Sequence, residues 1–210
     1  AAAWIAQRLR DACRRRGTAS LAVSGGGTAP PMIEALVAEQ LPWKQVTVWQ
    51  VDERIVPDGD PARNAPQLAD LPCRVRLLPV TVAKLRPAAL RYGNAMPDHL
   101  DVVHLGLGDD GHTASWPPDR PKIVTSDRRV ELVDTFNGYK RMTITGSVVN
   151  AARSRVVLTT GAAKRPMVER WMMLDGSLPI SAVSRVNTIT FVDGLAAPMP
   201  RLETLLAKRV

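Results

Sequence analysis

Cysteine, histidine and aromatic residues are all scarce in this chain, and each scarcity excludes something. Two cysteines, Cys13 and Cys73, are too few and too far apart for a disulfide framework or a metal cluster, and they fit a reducing cytoplasm. The three histidines, His99, His104 and His112, supply no metal donor set, because His104 falls inside an apolar run. No metal is therefore expected. Aromatics make up 4%, so platforms for stacking nucleic-acid bases are rare. No apolar run approaches the ~20 residues that span a bilayer. The start, Ala1-Ala2-Ala3-Trp4, shows no signal-peptide pattern and reads as an internal beginning.

What is present is a globular composition with excess positive charge. The 210 residues, 45% of them apolar, suit one α/β domain over residues 1–210. The net charge of +8 comes from 28 basic and 20 acidic residues. Apart from Arg14-Arg15-Arg16 and Arg128-Arg129, the basic residues are scattered. Such a surface attracts small anions rather than nucleic acid. The triple arginine fits the end of a first helix, where cations suit the dipole.

Apolar periodicity gives a helix around Ile5, Leu9, Ala12 and Cys13, then a buried strand over Ser20–Ser24. A helix follows over Pro31–Gln40, then a strand over Val46–Val51 that ends at Asp52-Glu53-Arg54. A short helix is expected at Pro61–Leu68, with strands at Val75–Val80 and Leu100–Leu105. Short β segments follow near Glu131–Val133 and Arg141–Ile144, then a helical turn at Val148–Ala152. A strand over Arg155–Thr160, a helix over Ala162–Leu174, a strand over Thr188–Val192 and a helical tail complete the reading. Ala88–Pro97 and Arg120–Arg129 read as compact connections. Strands alternating with helices predict a mostly parallel, Rossmann-like sheet covered on both faces, with a small additional β region.

In such sheets ligands gather beyond the carboxyl ends of the strands. Four strand ends carry polar residues or glycines, and parallel strands would bring them to one rim. Ser24-Gly25-Gly26-Gly27-Thr28 joins a strand to a helix, so its backbone N–H groups can converge on an anion. An ordinary glycine-rich turn explains it equally well, and no Gly-Lys-Ser/Thr follows to make a Walker loop. Arg54, in Asp52-Glu53-Arg54, can hold a phosphate bidentately. Asp52 or Glu53 can fix that arginine or meet substrate hydroxyls. Lys164, after Gly161-Ala162-Ala163, opens a helix against the dipole preference, which hints at a nearby anion. Arg141 begins another strand and is a weaker candidate of the same kind.

The fourth strand end, Gly106 to Ser115, holds three glycines, two carboxylates and a histidine. Gly106–Gly111 fits G-x-G-x-x-G, and Glu131 lies about where a ribose-binding acid would sit. Yet that fingerprint normally opens the first βαβ unit, and here it falls in mid-chain and leaves His112 unexplained. His112 with Asp110 two residues away is better read as a base oriented by a carboxylate, with Ser115 a candidate supporting hydroxyl. A buried structural histidine is the plainer alternative.

In this order the turns resemble the 6-phosphogluconolactonase family, whose superfamily also contains glucosamine-6-phosphate deaminase/isomerase. The resemblance rests on Ser24–Thr28, on Asp52-Glu53-Arg54 with Val56-Pro57 and Asn64, and above all on Gly108-Asp109-Asp110-Gly111-His112-Thr113-Ala114-Ser115. Arg141–Thr145, Gly161–Lys164 and Leu178-Pro179 extend it over nearly the whole chain. It implies a three-layer α/β/α sandwich and hydrolysis of 6-phosphoglucono-δ-lactone, a small phosphorylated sugar lactone, in the oxidative pentose phosphate pathway; a lactone is an activated ester, so no cofactor is expected, and the protein is expected to be a cytoplasmic monomer. Carried over by position, His112 is the base that activates water, with Asp110 beside it. Arg54 and Lys164 hold phosphate together with the turn Ser24, Gly25, Gly26, Gly27 and Thr28, and Asp52 and Arg141 are further candidates for binding substrate or its phosphate. Asp52 also matches the acid that the isomerases use as a base on carbon 2. The isomerase pattern has tyrosine where Arg54 stands and a glutamate five residues after the motif histidine, where this chain has Pro117. A non-catalytic sugar-phosphate sensor would keep the glycine turn and Lys164 but would need no Asp110–His112 pair. After Ser115 the family usually continues Leu-Phe-Pro-Gly, where this chain has Trp116-Pro117-Pro118-Asp119. Before Arg141, Phe136-Asn137-Gly138 replaces the family's usual proline-rich approach.

Overall fold

The computed structural model describes residues 1–198. Its centre is a six-stranded parallel sheet made of β1 (Ala19–Val23), β2 (Val46–Gln50), β4 (Arg74–Arg76), β5 (Val102–Leu105), β8 (Arg155–Thr159) and β9 (Thr188–Val192). They lie in the order β4-β2-β1-β5-β8-β9. The chain starts near the middle, builds outward to one edge, then returns and builds to the other. The reversal falls between β1 and β5, the place where a doubly wound sheet opens a crevice. A second sheet, β3 (Asp52–Arg54), β7 (Tyr139–Ile144) and β6 (Val130–Phe136), is antiparallel in the order β3-β7-β6.

Side chains alternate between two cores, as the period of two along a strand requires. Leu21 and Val23, Val46 and Val48, Val102 and Val156 face one way, against α1 (Ala2–Arg16) and α2 (Ala29–Val37). Ala22, Trp49, Val103, Leu105 and Val157 face the other way, against α3 (Leu85–Ala95), α4 (Gly146–Ala151) and α5 (Arg165–Met172). Met142 and Ile144 of the small sheet join that second core. The result is the three-layer arrangement with an added β region. In α1, Ile5, Ala6, Leu9, Ala12 and Cys13 form the buried stripe, and Arg14, Arg15 and Arg16 occupy the last turn. Gly17 closes the helix in the left-handed region at φ 75°.

Three segments differ from the sequence reading. Asp52-Glu53-Arg54 is a strand of the small sheet rather than a turn. Val51 makes the junction: its N–H donates to the Val23 carbonyl of the large sheet, and its carbonyl accepts from Ile144 of the small one. The connection expected at Ala88–Pro97 is largely helix α3, whose inward side is made of small residues and one tyrosine, Ala88, Ala89, Tyr92 and Gly93, so its apolar stripe is faint in the sequence. The strand expected at Val75–Val80 shrinks to Arg74–Arg76. The expected helical tail lies mostly outside the described residues. Among the described residues no helix is long and apolar enough to cross a membrane.

Candidate active site

At the carboxyl ends of β1, β2, β5 and β8 a cavity of about 730 Å³ opens over the reversal point. Ser24, Gly25, Gly26, Gly27, Thr28, Asp52, Arg54, Asp110, His112, Arg141 and Lys164 all line it. The parallel register brings these residues together from five separate stretches of chain.

The loop after β5 presents the histidine. Gly111 sits at φ +85° and closes the turn through its N–H to the Gly108 carbonyl, 3.1 Å. The Gly108 N–H returns to the His112 carbonyl at 2.7 Å. A Cβ on Gly108 would fall 2.0 Å from His112 Nδ1, so the imidazole rests directly on this glycine. Asp110 Oδ1 accepts both the His112 N–H at 3.0 Å and the ring Nδ1 at 2.5 Å. Since a carboxylate only accepts, this bond assigns the proton to Nδ1 and leaves the Nε2 lone pair free. Partial burial pushes the Asp110 carboxyl up, but the hydrogen bonds and charge of His112 outweigh it and hold the group below its ordinary value. Phe136 packs edge-on against the imidazole at 5.0 Å between centroids. The Ile180 N–H to Gly111 carbonyl bond ties the loop to the Leu178-Pro179 segment.

The glycine turn lies opposite. A Cβ on Gly25 would fall 2.2 Å from the Asn64 side chain, so only glycine allows this approach. Gly26 takes φ +110°, and its N–H donates to Gln67 Oε1 at 3.2 Å. The Gly27 and Thr28 N–H groups make no hydrogen bond among the described residues and stand at the start of α2, a favourable place for an anion. Arg54 is held beside this turn by Asn64 Oδ1 and by the Ala62 carbonyl at 3.0 Å.

The two acids of β3 divide their work. Asp52 is nearly buried and accepts from Ser24 Oγ at 3.1 Å and Ser115 Oγ at 2.7 Å, with the Arg141 guanidinium 4.0 Å away. It ties the glycine turn to the histidine loop. Glu53 is fully buried and points away from the cavity. It accepts the N–H groups of Arg54, Asn64 and Ala65, each at 2.8 Å, and pairs with Arg63 at 3.1 Å. Its role is to shape the 62–65 loop that supports Arg54. Arg141 is buried, donates to the Phe136 carbonyl and lies over the Phe136 ring. Lys164, just before α5, reaches Asp109 Oδ1 at 2.6 Å.

Other residues complete the walls. Asn64 and Asn137 line the cavity, as does Thr159, whose buried hydroxyl has no hydrogen-bond partner among the described residues. Asn137-Gly138, with φ 48° and 82°, makes the tight turn between β6 and β7, and this dipeptide is a legible hairpin signal. Thr159 has no comparable signal, because threonine at the end of a strand is commonplace. Among the described residues no group of three or more His, Cys, Asp or Glu side chains is placed to hold a metal ion.

The family model described as glucosamine-6-phosphate isomerases/6-phosphogluconolactonase matches residues 1–191. A 6-phosphogluconolactonase of Synechocystis sp. is 35% identical over 179 residues, covering 77% of this chain and 74% of that protein. One of Mesorhizobium japonicum is 34% identical over 210 residues, covering 94% and 79%. Among solved structures, a 6-phosphogluconolactonase from Shewanella baltica superposes with a TM-score of 0.82 at 26% identity, covering 91% of this chain and 89% of that one.

Proposed function

The chain belongs to the glucosamine-6-phosphate isomerase/6-phosphogluconolactonase family, and we propose that within it this protein hydrolyses 6-phosphoglucono-δ-lactone to 6-phosphogluconate, in the oxidative pentose phosphate pathway. The observation that carries this reading is the Asp110–His112 pair facing a cavity that also gathers Arg54, Arg141 and Lys164. His112 Nε2 takes a proton from water as the oxygen attacks the lactone carbonyl carbon. The tetrahedral oxyanion then collapses, the bond from that carbon to the ring oxygen breaks, and the imidazolium returns its proton to the departing oxygen. Asp110 fixes the tautomer and stabilises the transient imidazolium. Lys164, Arg54 and the turn Ser24–Thr28 hold the phosphate, while Asp52 and Arg141 face the sugar. Phosphate binding contributes orientation, which converts a bimolecular encounter into a positioned one.

Two positions favour lactonase over isomerase chemistry. Pro117 stands where the isomerase pattern has its relay glutamate, and Arg54 stands where that pattern has tyrosine. Asp52, the position of the isomerase base, has both oxygens engaged by serine hydroxyls. The test is proton release on adding freshly generated lactone, measured against the spontaneous rate. Release no faster than the spontaneous rate overturns the proposal.

A further inference from the structure

The cavity contains three side-chain cations, Arg54, Arg141 and Lys164, and three carboxylates, Asp52, Asp109 and Asp110. A phosphate dianion entering this ring is drawn by the cations and by the N–H groups of the glycine turn but repelled by the carboxylates, and the repulsion falls if one carboxylate yields. Asp52 is fixed by the Ser24 and Ser115 hydroxyls and is nearly buried. Asp110 is fixed by the His112 backbone and ring. Asp109 differs from both. Its side chain is 74% exposed, and its one partner among the described residues is the Lys164 ammonium.

We propose that Asp109 is a resident counter-ion that the substrate phosphate displaces from Lys164, so that this carboxylate limits how tightly the site holds phosphorylated ligands. The inference rests on the reading of Lys164 as a phosphate ligand. Asp109 lies between Gly108 and Asp110 on the loop that carries His112, and among the described residues its carboxylate makes no hydrogen bond to the imidazole. In the empty site it neutralises a lysine that stands against the dipole at the start of α5. With phosphate bound it turns to solvent, and on product departure it recovers the ammonium. It thus opposes retention of the product, and it does so without touching the reacting carbon.

The experiment measures inorganic phosphate and 6-phosphogluconate binding by calorimetry, with KM and kcat alongside, for the full chain and for Asp109→Asn, Asp109→Glu, Lys164→Met and the Asp109→Asn/Lys164→Met double variant. An exposed ion pair sets the scale, so Asp109→Asn should tighten both ligands and lower KM by about 2–5-fold. Asp109→Glu, which keeps the charge, should stay near the parent. In the Lys164→Met background, Asp109→Asn should have no effect. Unchanged or weakened binding in Asp109→Asn overturns the proposal. So does equal tightening with and without Lys164, since that would be a general charge effect. If Lys164→Met alone leaves phosphate affinity unchanged, the assignment of Lys164 fails instead, a distinct result from the first two.

Discussion

His112 is the imidazole among the described residues that line the cavity; its Nδ1 is committed to Asp110, which leaves the Nε2 lone pair as the acceptor for a proton from water. Replacing it with alanine should lower kcat by about 10²–10⁴-fold, the usual contribution of a positioned general base. Affinity for 6-phosphogluconate should change little, because the groups proposed to hold the phosphate lie on other loops. Calorimetry on the variant beside the proton-release assay checks both halves of this expectation. At this scale much of the site was legible, since glycines, acids and the histidine at one strand end have few structural reasons to coincide. Glu53 was not separable from Asp52 by sequence. Adjacent residues on a strand face opposite ways, so one acid faces the cavity and the other the protein interior. Thr159 and Asn137 were not singled out, because their importance comes from what other segments place in front of them.

Among the elements, the loop following β5 depends on a contact that a single methyl group destroys. Gly108→Ala puts a Cβ where His112 Nδ1 now lies, so the ring must move. A displacement near 1 Å at a reacting group costs about 10²-fold. We expect kcat to fall by at least that much while the thermal unfolding midpoint shifts only modestly, measured on the same preparation. Element existence followed from periodicity where apolar residues were dense, as in α1 and β5. It failed for α3, whose buried side needs small residues: a Cβ on Gly93 would lie 3.1 Å from Arg129 Cβ. It failed also for β3, whose three charged residues look unlike a strand. Their cost is offset by partners from the 62–65 loop, Ser24 and Ser115, none of which is a sequence neighbour.

For the whole molecule, the parallel sense of the strands, the two covering layers and the shared rim followed from alternation, whereas the order of the strands and the crossing of the chain from one sheet into the other at Val51 did not. One buried group ties global stability to pH. His104 of β5 is fully buried, its ring nitrogens have no hydrogen-bond partner among the described residues, and burial pushes it down to about 4. The unfolded chain therefore binds a proton that the folded one refuses between about pH 6.5 and 4, so stability falls as pH drops through that window. The loss approaches ~3 kcal/mol at its lower end. Urea denaturation at pH 7 and pH 4.5 should reveal it, and His104→Leu should flatten the dependence; a slope unchanged in that variant would assign the effect to other groups. The strand order carries one more consequence. Everything before the exposed bend at Pro97-Asp98-His99 contributes the anion turn, Asp52 and Arg54, and everything after it contributes Asp110, His112, Arg141 and Lys164. A backbone cut at that bend divides the proposed catalytic inventory between two fragments, each lacking what the other holds, so that turnover becomes a reporter of their reunion.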